Sequence, residues 1–211
     1  GIVRTKIFTA FWISLKTSLV GLTLSICIGL VAGVLMAQAK WLERSLWPYL
    51  IALQVTPIIA IVPLMIKLVG SNFAARVLVT VIISLFPIVS NTLFGIQSTP
   101  RNMHDLFTLH KSSRAIRLLK LQLPAASPAI FSGLRISAGL AVIGAIVGDF
   151  FFAKGDPGLG KLITQFFLNS QAGPMFVTAL AATLLGLMLF IAFGLLNTWA
   201  VGRWYEGSIS Q

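Results

Sequence analysis

The sequence predicts an all-α fold, a single polytopic membrane helical bundle over residues 1–211 with about five transmembrane helices. Composition is the first reason, because 57% of the residues are apolar and only 10% are charged, whereas a soluble domain has roughly 25% charged residues. The second reason is that the charged residues bound several long uncharged runs. Helices suit a lipid solvent because they satisfy their backbone hydrogen bonds internally.

Three spans follow directly from the uncharged runs. These runs are residues 17–39, 45–66 and 77–100, which hold 23, 22 and 24 residues. A helix rises about 1.5 Å per residue and the hydrocarbon core is about 30 Å thick, so about 20 residues are enough to cross it. Each run is therefore predicted to form one transmembrane helix.

The second half of the chain predicts two more spans. Residues 128–152 form the first, with Pro128 in its first turn, where the missing N–H does no harm. The uncharged stretch after Lys161 is too long for one helix, and Gly173-Pro174 divides it. We interpret residues 162–170 as a short helix outside the bilayer core and residues 175–199 as the last span.

Basic residues indicate the orientation. The chain has 16 Lys and Arg against 5 Asp and Glu, a formal charge of +11. In a soluble protein that excess would suggest nucleic acid, but in a membrane protein Lys and Arg collect in cytoplasmic loops. One set of connections carries Lys40, Arg44, Arg101, Lys111, Arg114, Arg117, Lys120 and Arg203, and the other carries Arg4, Lys6, Arg76, Lys154 and Lys161. This excess predicts that residues 39–45, residues 100–127 and the C-terminus are cytoplasmic, and a further helix before residue 1 would account for Arg4 and Lys6.

The connection over residues 100–127 is too long for a simple turn. Its apolar residues recur at three- and four-residue spacings with basic residues between them: Leu106, Leu109, Ile116, Leu119 and Leu123, with Arg114, Arg117 and Lys120. The pattern predicts two short amphipathic helices, the second capped by Ser112 or Ser113 and ended by Pro124. The alternative is an interfacial helix that only touches anionic lipid headgroups.

Several short motifs occur along the chain in a fixed order. They are Leu42-Glu43-Arg44 with Pro48, Phe86-Pro87-Ile88, Leu123-Pro124-Ala125-Ala126, Ser132-Gly133-Leu134-Arg135-Ile136 and Gly158-Leu159-Gly160. In order and spacing they resemble the permease subunits of binding-protein-dependent type I ABC importers, over residues 10–203. The resemblance is nearest to the nitrate/sulfonate/taurine branch, which includes riboflavin and thiamine-precursor relatives. Members of the family usually have six transmembrane helices.

The resemblance implies that residues 104–124 form the surface that meets a separate ATPase. The residues it assigns to that contact are Asp105, Leu106, Leu109, Lys111, Ser112, Ser113, Arg114, Arg117, Leu123 and Pro124. The segment departs from the family pattern at three places, because Asp105 replaces a glutamate, Leu106-Phe107 replace two alanines and Lys111 replaces a glycine. Lysine resists the left-handed backbone conformation that glycine adopts freely, so we expect either a slightly different turn geometry at Lys111 or a specialised ATPase.

The resemblance also implies the partners and the location. The partners are two ABC ATPase subunits, which hold ATP and magnesium, an extracytoplasmic solute-binding protein, and a second permease copy in a homodimer within the bacterial inner membrane. The chain lacks the G-x-x-x-x-G-K-[S/T] phosphate-binding motif, so we expect another chain to hydrolyse ATP and no enzymatic activity or cofactor in this one. Two His and one Cys do not make a zinc site, so we expect no metal site either. The solute is expected to be a small anion, such as nitrate, a sulfonate or taurine, or else a vitamin precursor.

Two charged residues near the ends of predicted spans are candidate pathway or gate residues. They are Asp149 and Lys67, since a charge within a span usually faces the protein interior or water. The alternatives are that Asp149 stays wet at the interface and that Lys67 snorkels to the headgroups. Arg135 is expected near the cytoplasmic end of its span. Gly29 and Gly33 form a G-x-x-x-G face that indicates close helix packing, either within one subunit or between two.

Two rival functions are a secondary transporter and a membrane scaffold that binds a cytosolic partner without transport. Secondary transporters usually show inverted repeats and ionisable residues at the midplane, and the sequence shows no convincing repeat. ATP-dependent uptake and co-purification with an ATPase distinguish the three functions.

Overall fold

The computed structural model describes residues 2–70, 72–152 and 155–205, with side chains as far as Trp199. All regular structure in this part is helical: α1 (Ile2–Gln38), α2 (Lys40–Val55), α3 (Ile58–Leu68), α4 (Phe73–Gln97), α5 (Arg101–Leu109), α6 (Arg114–Arg117), a π-helical turn (Leu118–Gln122), α7 (Leu123–Phe151), α8 (Leu159–Leu168) and α9 (Ala172–Tyr205). Four continuous stretches can cross a membrane, or five if the bent pair α2 and α3 is one span. The predicted bundle of about five spans is confirmed. The side chains of Lys154 and Arg203, used above for orientation, lie outside the described residues.

Helix α4 lies at the centre of the bundle, since its spanning stretch is 61% buried, against 33% for α1 and 17% for α9. Helix α1 packs against it through glycines. A Cβ added to Gly29 would lie 2.8 Å from Ile88, and one added to Gly33 would lie 2.7 Å from Thr92. Both pairs are 59 positions apart, so the two helices run parallel. The G-x-x-x-G face therefore packs within one subunit.

Helix α7 packs on another side of α4 and runs antiparallel to it. A Cβ added to Gly144 would lie 2.7 Å from Cα of Thr80, and one added to Gly133 would lie 2.7 Å from the carbonyl oxygen of Pro87. Contacts this close between backbones are open only to glycine. Helix α7 thus meets the main chain of α4, whereas α1 meets mainly the β-branched side chains of α4.

Buried hydroxyl groups join the same three helices. The Oγ atoms of Ser25 on α1 and Ser84 on α4 are 2.8 Å apart, and Ser137 on α7 donates to the carbonyl oxygen of Ser84 at 2.7 Å. All three serines are fully buried. In lipid, apolar burial does not drive helices together, so close packing and interhelical hydrogen bonds stabilise such a bundle.

The predicted second span is not one straight helix. Helices α2 and α3 are bent by 103° at residues 56–57. Thr56 has an extended backbone (ψ 124°) before Pro57, because a proline ring disfavours the helical conformation of the residue before it. Pro63 and Pro87 lie inside helices α3 and α4 instead. Of these three prolines, Pro57 therefore ends a helix and changes the direction of the chain.

The boundary predicted at Pro124 is wrong. Helix α6, the π turn and α7 form one continuous helical stretch, Arg114–Phe151. In the π turn, the Leu123 N–H bonds to the carbonyl of Leu118, five residues back. A proline removes the bond to the residue four back and crowds its carbonyl, and the wider π turn accommodates Pro124 without ending the helix.

Pro128 is also inside this helix rather than in its first turn. Because Pro128 has no N–H, the carbonyl of Pro124 loses its helical donor. Ser127 compensates by donating its hydroxyl to that carbonyl at 2.8 Å. The sequence pattern located the span correctly but not its beginning.

The last two helices differ in their bounds from the prediction. The short helix is Leu159–Leu168 and the last span is Ala172–Tyr205, so Gly173-Pro174 lies in a first turn instead of between helices. The break between α8 and α9 lies at Ser170, whose backbone is left-handed with φ 54°. The N–H of Gln171 bonds to the carbonyl of Phe166 at 2.8 Å, in the arrangement that closes many helix C-termini.

We expect Gly144→Ala to destabilise the protein although alanine favours helices. The added Cβ meets backbone at 2.7 Å, and overpacking of this kind costs about 1–3 kcal/mol. The matched control is Gly186→Ala on α9, where the nearest atom is 3.8 Å away. Thermal unfolding in detergent measures both. A lower midpoint for the control, or an unchanged midpoint for Gly144→Ala, contradicts the packing described here.

Candidate functional site

The first candidate region is the corner, defined here as residues 101–117, where α5 meets α6. Lys111 adopts a left-handed conformation with φ 48°. The Lys111 N–H bonds to the Thr108 carbonyl at 2.9 Å, and the Ser112 N–H bonds to the Phe107 carbonyl at 3.0 Å. These two bonds form a Schellman motif, which glycine usually completes. The expected change in turn geometry is therefore wrong, because the chain keeps the left-handed turn with lysine in it.

The second arm of the corner starts with a capping serine. Of the two serines proposed, Ser113 is the cap, and it accepts a hydrogen bond from the Ile116 N–H at 3.3 Å. Arg117 then reaches back and donates to the Thr108 hydroxyl at 3.0 Å. This contact links the two arms of the corner and fixes the angle between them.

The corner presents an apolar surface with a basic rim. A groove of about 380 Å³ lies between its arms, lined by Leu106, Phe107, His110, Ser112, Ile116 and Lys120. Leu109 beside it is 78% exposed. Basic residues surround the groove, at Arg101, Lys111, Arg114, Arg117 and Lys120, while Asp105 is the one acidic residue of this segment. Such a surface suits a protein partner better than bulk water.

Leu123 and Pro124 do not belong to the corner. They follow the π turn and begin the part of the helix that joins the bundle. Leu123 is half-buried and Pro124 is exposed. The structure therefore brings together eight of the ten predicted contact residues and separates these two from them.

The second candidate region is an ion-pair cluster of Ser14, Arg76 and Asp149. An Arg76 terminal nitrogen lies 3.1 Å from the Asp149 carboxylate, and Ser14 donates to the same carboxylate at 2.9 Å. Asp149 is 1% exposed and Arg76 is 2% exposed. The interpretation of Asp149 as a wet interfacial carboxylate is therefore wrong.

The ion-pair cluster also holds the connection between α7 and α8. Arg76 donates to the carbonyl of Asp156 at 3.1 Å, and the Leu159 N–H donates to Ser14 at 2.9 Å. A Cβ on Gly158 would lie 1.8 Å from the Asp149 carboxylate, so only glycine permits this close approach. The sequence analysis counted Arg76 as a loop charge and did not predict this ion pair. The signal for it in the sequence was Asp149, an opposite charge at the end of another predicted span.

Lys67 and Arg135 lie apart from the ion-pair cluster. Lys67 is in the last turn of α3 and is exposed. The guanidinium carbon of Arg135 lies 4.1 Å from the ring centre of Phe190 on α9.

A smaller cavity lies at the break between α2 and α3. Its volume is about 210 Å³, and it is lined by Leu53, Gln54, Thr56, Ile58, Ile82, Ile83 and Leu140. Its polar side chains are the amide of Gln54 and the hydroxyl of Thr56, which donates to the Ala52 carbonyl at 2.6 Å. The cavity offers uncharged hydrogen-bonding groups within an apolar wall.

Known proteins match this chain over most of its length. The "Formylaminopyrimidine transport permease protein ThiX" of Halalkalibacterium halodurans is 35% identical over 189 residues, which cover 88% of this chain and 73% of that protein. The "Riboflavin transport system permease protein RibX" of Chloroflexus aurantiacus is 35% identical over 168 residues, covering 80% and 62%. A solved structure of the MetNI methionine ABC transporter in an inward-facing conformation has a similar fold, with a TM-score of 0.81, 18% identity and coverage of 95% and 98%.

The family described as "Binding-protein-dependent transport system inner membrane component" matches residues 25–201. That range holds the helix break, the corner and the paired residues Arg76 and Asp149. The resemblance noted from the ordered motifs is confirmed. The chain therefore belongs to this family, as the membrane-embedded permease component of an ABC importer for small solutes.

Proposed function

We propose that this chain forms the translocation path for a small solute and receives the movement of a separate ATPase through the corner. The observation that carries the proposal is the corner itself, a rigid turn with exposed leucines and a basic rim. The proposal includes a cytoplasmic location for the corner and the C-terminus. It also includes two ATPase subunits that hold ATP and magnesium, an extracytoplasmic solute-binding protein and a second copy of this chain.

The direct connection of the corner to two membrane-spanning helices supports this role. Helix α5 follows α4 after three residues, and α6 continues without a break into α7. Helices α4 and α7 pack closely, since a Cβ at Gly144 would lie 2.7 Å from Cα of Thr80. A displacement of the corner therefore moves two tightly packed helices together, as the two-state transitions of transporters require.

The chemistry of the corner favours a partner with an apolar pocket and an acidic rim. Burying one exposed leucine, such as Leu106 or Leu109, contributes about 1.5–3 kcal/mol. Five basic residues against Asp105 attract a negatively charged cleft. In this proposal, ATP binding changes the shape of the ATPase cleft. The permease then shifts from one state to the other because the cleft binds the corner more tightly in one of the two states.

For the solute, we propose a small, neutral, hydrogen-bonding vitamin precursor. The cavity at the helix break has an apolar wall with Gln54 and Thr56 as its polar side chains, which suits an uncharged ring compound. Relatives at 35% identity are named for formylaminopyrimidine and riboflavin. The second candidate, an anion such as nitrate or taurine, depends on Lys67, which is exposed on the same bent pair of helices.

We expect Leu109→Asp to reduce ATP-driven uptake at least about tenfold, because it replaces a contact of about 1.5–3 kcal/mol with a charge. Asp105→Arg should also lower uptake, since it removes the single acid of the corner. Uptake into proteoliposomes with the ATPase and binding protein measures both effects. Leu168→Asp is the matched control, because Leu168 is 74% exposed on α8, away from the corner. Full uptake and full ATPase co-purification by Leu109→Asp would refute the coupling role.

The solute proposal is tested by uptake of formylaminopyrimidine, riboflavin, nitrate and taurine, each with the cognate binding protein. We expect Gln54→Leu to lower uptake of the true solute, because a solute group then loses its partner at a cost of about 1–3 kcal/mol. Lys67→Met should leave that uptake unchanged. Nitrate uptake that is lost in Lys67→Met and kept in Gln54→Leu supports the anion instead.

For Asp149 we propose a gate function exerted through the connection between α7 and α8. We expect Asp149→Asn to destabilise the protein by about 3–5 kcal/mol, because it leaves Arg76 buried without its counter-charge. The double variant Arg76→Met with Asp149→Leu should recover most of that stability. Thermal unfolding and uptake are measured together for both variants. If the recovered double variant also transports at the wild-type rate, the pair is purely structural and the gate proposal is wrong.

A further inference from the structure

Arg135 lies within a spanning helix without a counter-charge. Its guanidinium lies over Phe190 and fits against α9 because Gly194 has no side chain; a Cβ there would be 3.2 Å from Nε. No carboxylate of the described residues is within ion-pair distance of Arg135. Nε of Arg135 is buried without a hydrogen-bond partner, whereas its terminal nitrogens are not fully buried, and the residue as a whole is half-buried. Charged residues of spanning helices usually pair with another group, and among the described residues the guanidinium of Arg135 interacts only with the ring of Phe190.

An apolar groove begins beside Arg135. Its volume is about 580 Å³, and it runs between α7 and α9 along Ile136, Gly139, Ile143, Ile146, Gly186 and Phe190. Two glycines leave the groove open. A Cβ added at Gly139 would lie 3.9 Å from Phe190, and one added at Gly186 would lie 3.8 Å from Val142, which are ordinary van der Waals distances. The single hydroxyl in its wall, that of Thr183, donates to the Ala179 carbonyl of its own helix.

The length of the groove matches half a bilayer. From Arg135 to Ile146 the helix rises about 16 Å at 1.5 Å per residue, and half of the hydrocarbon core is about 15 Å. With the corner in the cytoplasm, Arg135 is at the inner end of the groove and Ile146 at its outer end. The groove then extends from the level of the inner headgroups to the middle of the membrane.

We propose that Arg135 and this groove bind one anionic phospholipid of the cytoplasmic leaflet, with the phosphate on the guanidinium and an acyl chain along the groove. This inference rests on the cytoplasmic orientation of the corner given under the proposed function. A guanidinium binds phosphate oxygens through charge-assisted hydrogen bonds. Basic pockets between helices on the cytoplasmic side are typical sites for anionic headgroups.

Other occupants fit less well. A water-soluble solute would find little hydrogen bonding along the groove, because its one side-chain hydroxyl, that of Thr183, already donates to its own helix. A second copy of this chain would have few free carboxylates on its described spans to pair with Arg135. Asp149 is paired with Arg76, and Glu43 accepts a hydrogen bond from Gln97.

The test measures which lipids the full chain retains. The wild-type protein in detergent is mixed with equal amounts of phosphatidylglycerol and phosphatidylcholine, and retained lipids are counted by native mass spectrometry. We expect a preference for phosphatidylglycerol that falls about fivefold in Arg135→Gln, the loss expected for one basic contact near a membrane surface. Gly186→Leu, which fills the groove and keeps Arg135, should lower retention of the same lipid. Arg44→Gln, an exposed basic residue predicted to be on the same side, is the matched control and should bind as wild type.

Equal phosphatidylglycerol retention by Arg135→Gln and Arg44→Gln overturns the proposal. So does displacement of the lipid by millimolar sulfate or taurine, which would make Arg135 a solute site. A loss of dimer mass in Gly186→Leu with unchanged lipid retention would assign the groove to a second copy. If Arg135→Gln does not fold, Gly186→Leu alone decides, and full retention by it overturns the proposal. None of these readouts needs an ATPase, a binding protein or uptake, so this failure and a failure of the coupling proposal are separable.

Discussion

The close approach of α4 to α1 and α7 is the constraint on which the rest of the structure depends. In lipid there is no water to expel between helices, so the bundle must gain its stability from contact and from hydrogen bonds. Glycines at 133 and 144 let α7 meet the main chain of α4, and glycines at 29 and 33 let α1 pack on the side chains of Ile88 and Thr92. The hydroxyls of Ser25, Ser84 and Ser137 join the three helices at one level. Both ends of this packed unit carry functional candidates. The corner extends α4 and α7 on one side, and the ion-pair cluster joins α1, α4 and α7 on the other.

The two ends are built differently. At the ion-pair cluster, two buried charges and a serine fix the chain between α7 and α8 through several short bonds. A buried ion pair of this kind often adds little net stability, because removing both charges from water costs about as much as their attraction returns. Its evident effect here is to hold the connection in place. At the corner, a left-handed lysine, a capping serine and the bond from Arg117 to Thr108 hold a shape that is almost wholly exposed. The ion-pair cluster is therefore buried in the bundle, whereas the corner keeps its shape through its own hydrogen bonds and stays exposed.

The sequence predicted the fold class, the number of spans and the exposed amphipathic corner, because these follow from the distribution of charge and from helical periodicity. It did not predict the bounds at prolines. Pro57 breaks the chain, while Pro124 and Pro128 lie within a continuous helix, and the difference depends on the π turn and on the hydroxyl of Ser127. Nor could it predict the pairing of Arg76 with Asp149. Those residues are far apart in the chain, and only the packing of α4 against α7 brings them together.

The bent pair α2 and α3 has a consequence for how such a protein can diversify. Helix α2 has no fully buried residue, and α3 has only Val62 and Met65. Substitutions around Gln54 and Thr56 therefore change the shape and polarity of the cavity without disturbing the glycine contacts that hold α4. Under the proposed function, such a protein can acquire a new solute by a few local substitutions while the contacts that hold α4 stay intact. The residues proposed to control specificity then lie on helices that bury few side chains, so the same positions also tolerate mutation.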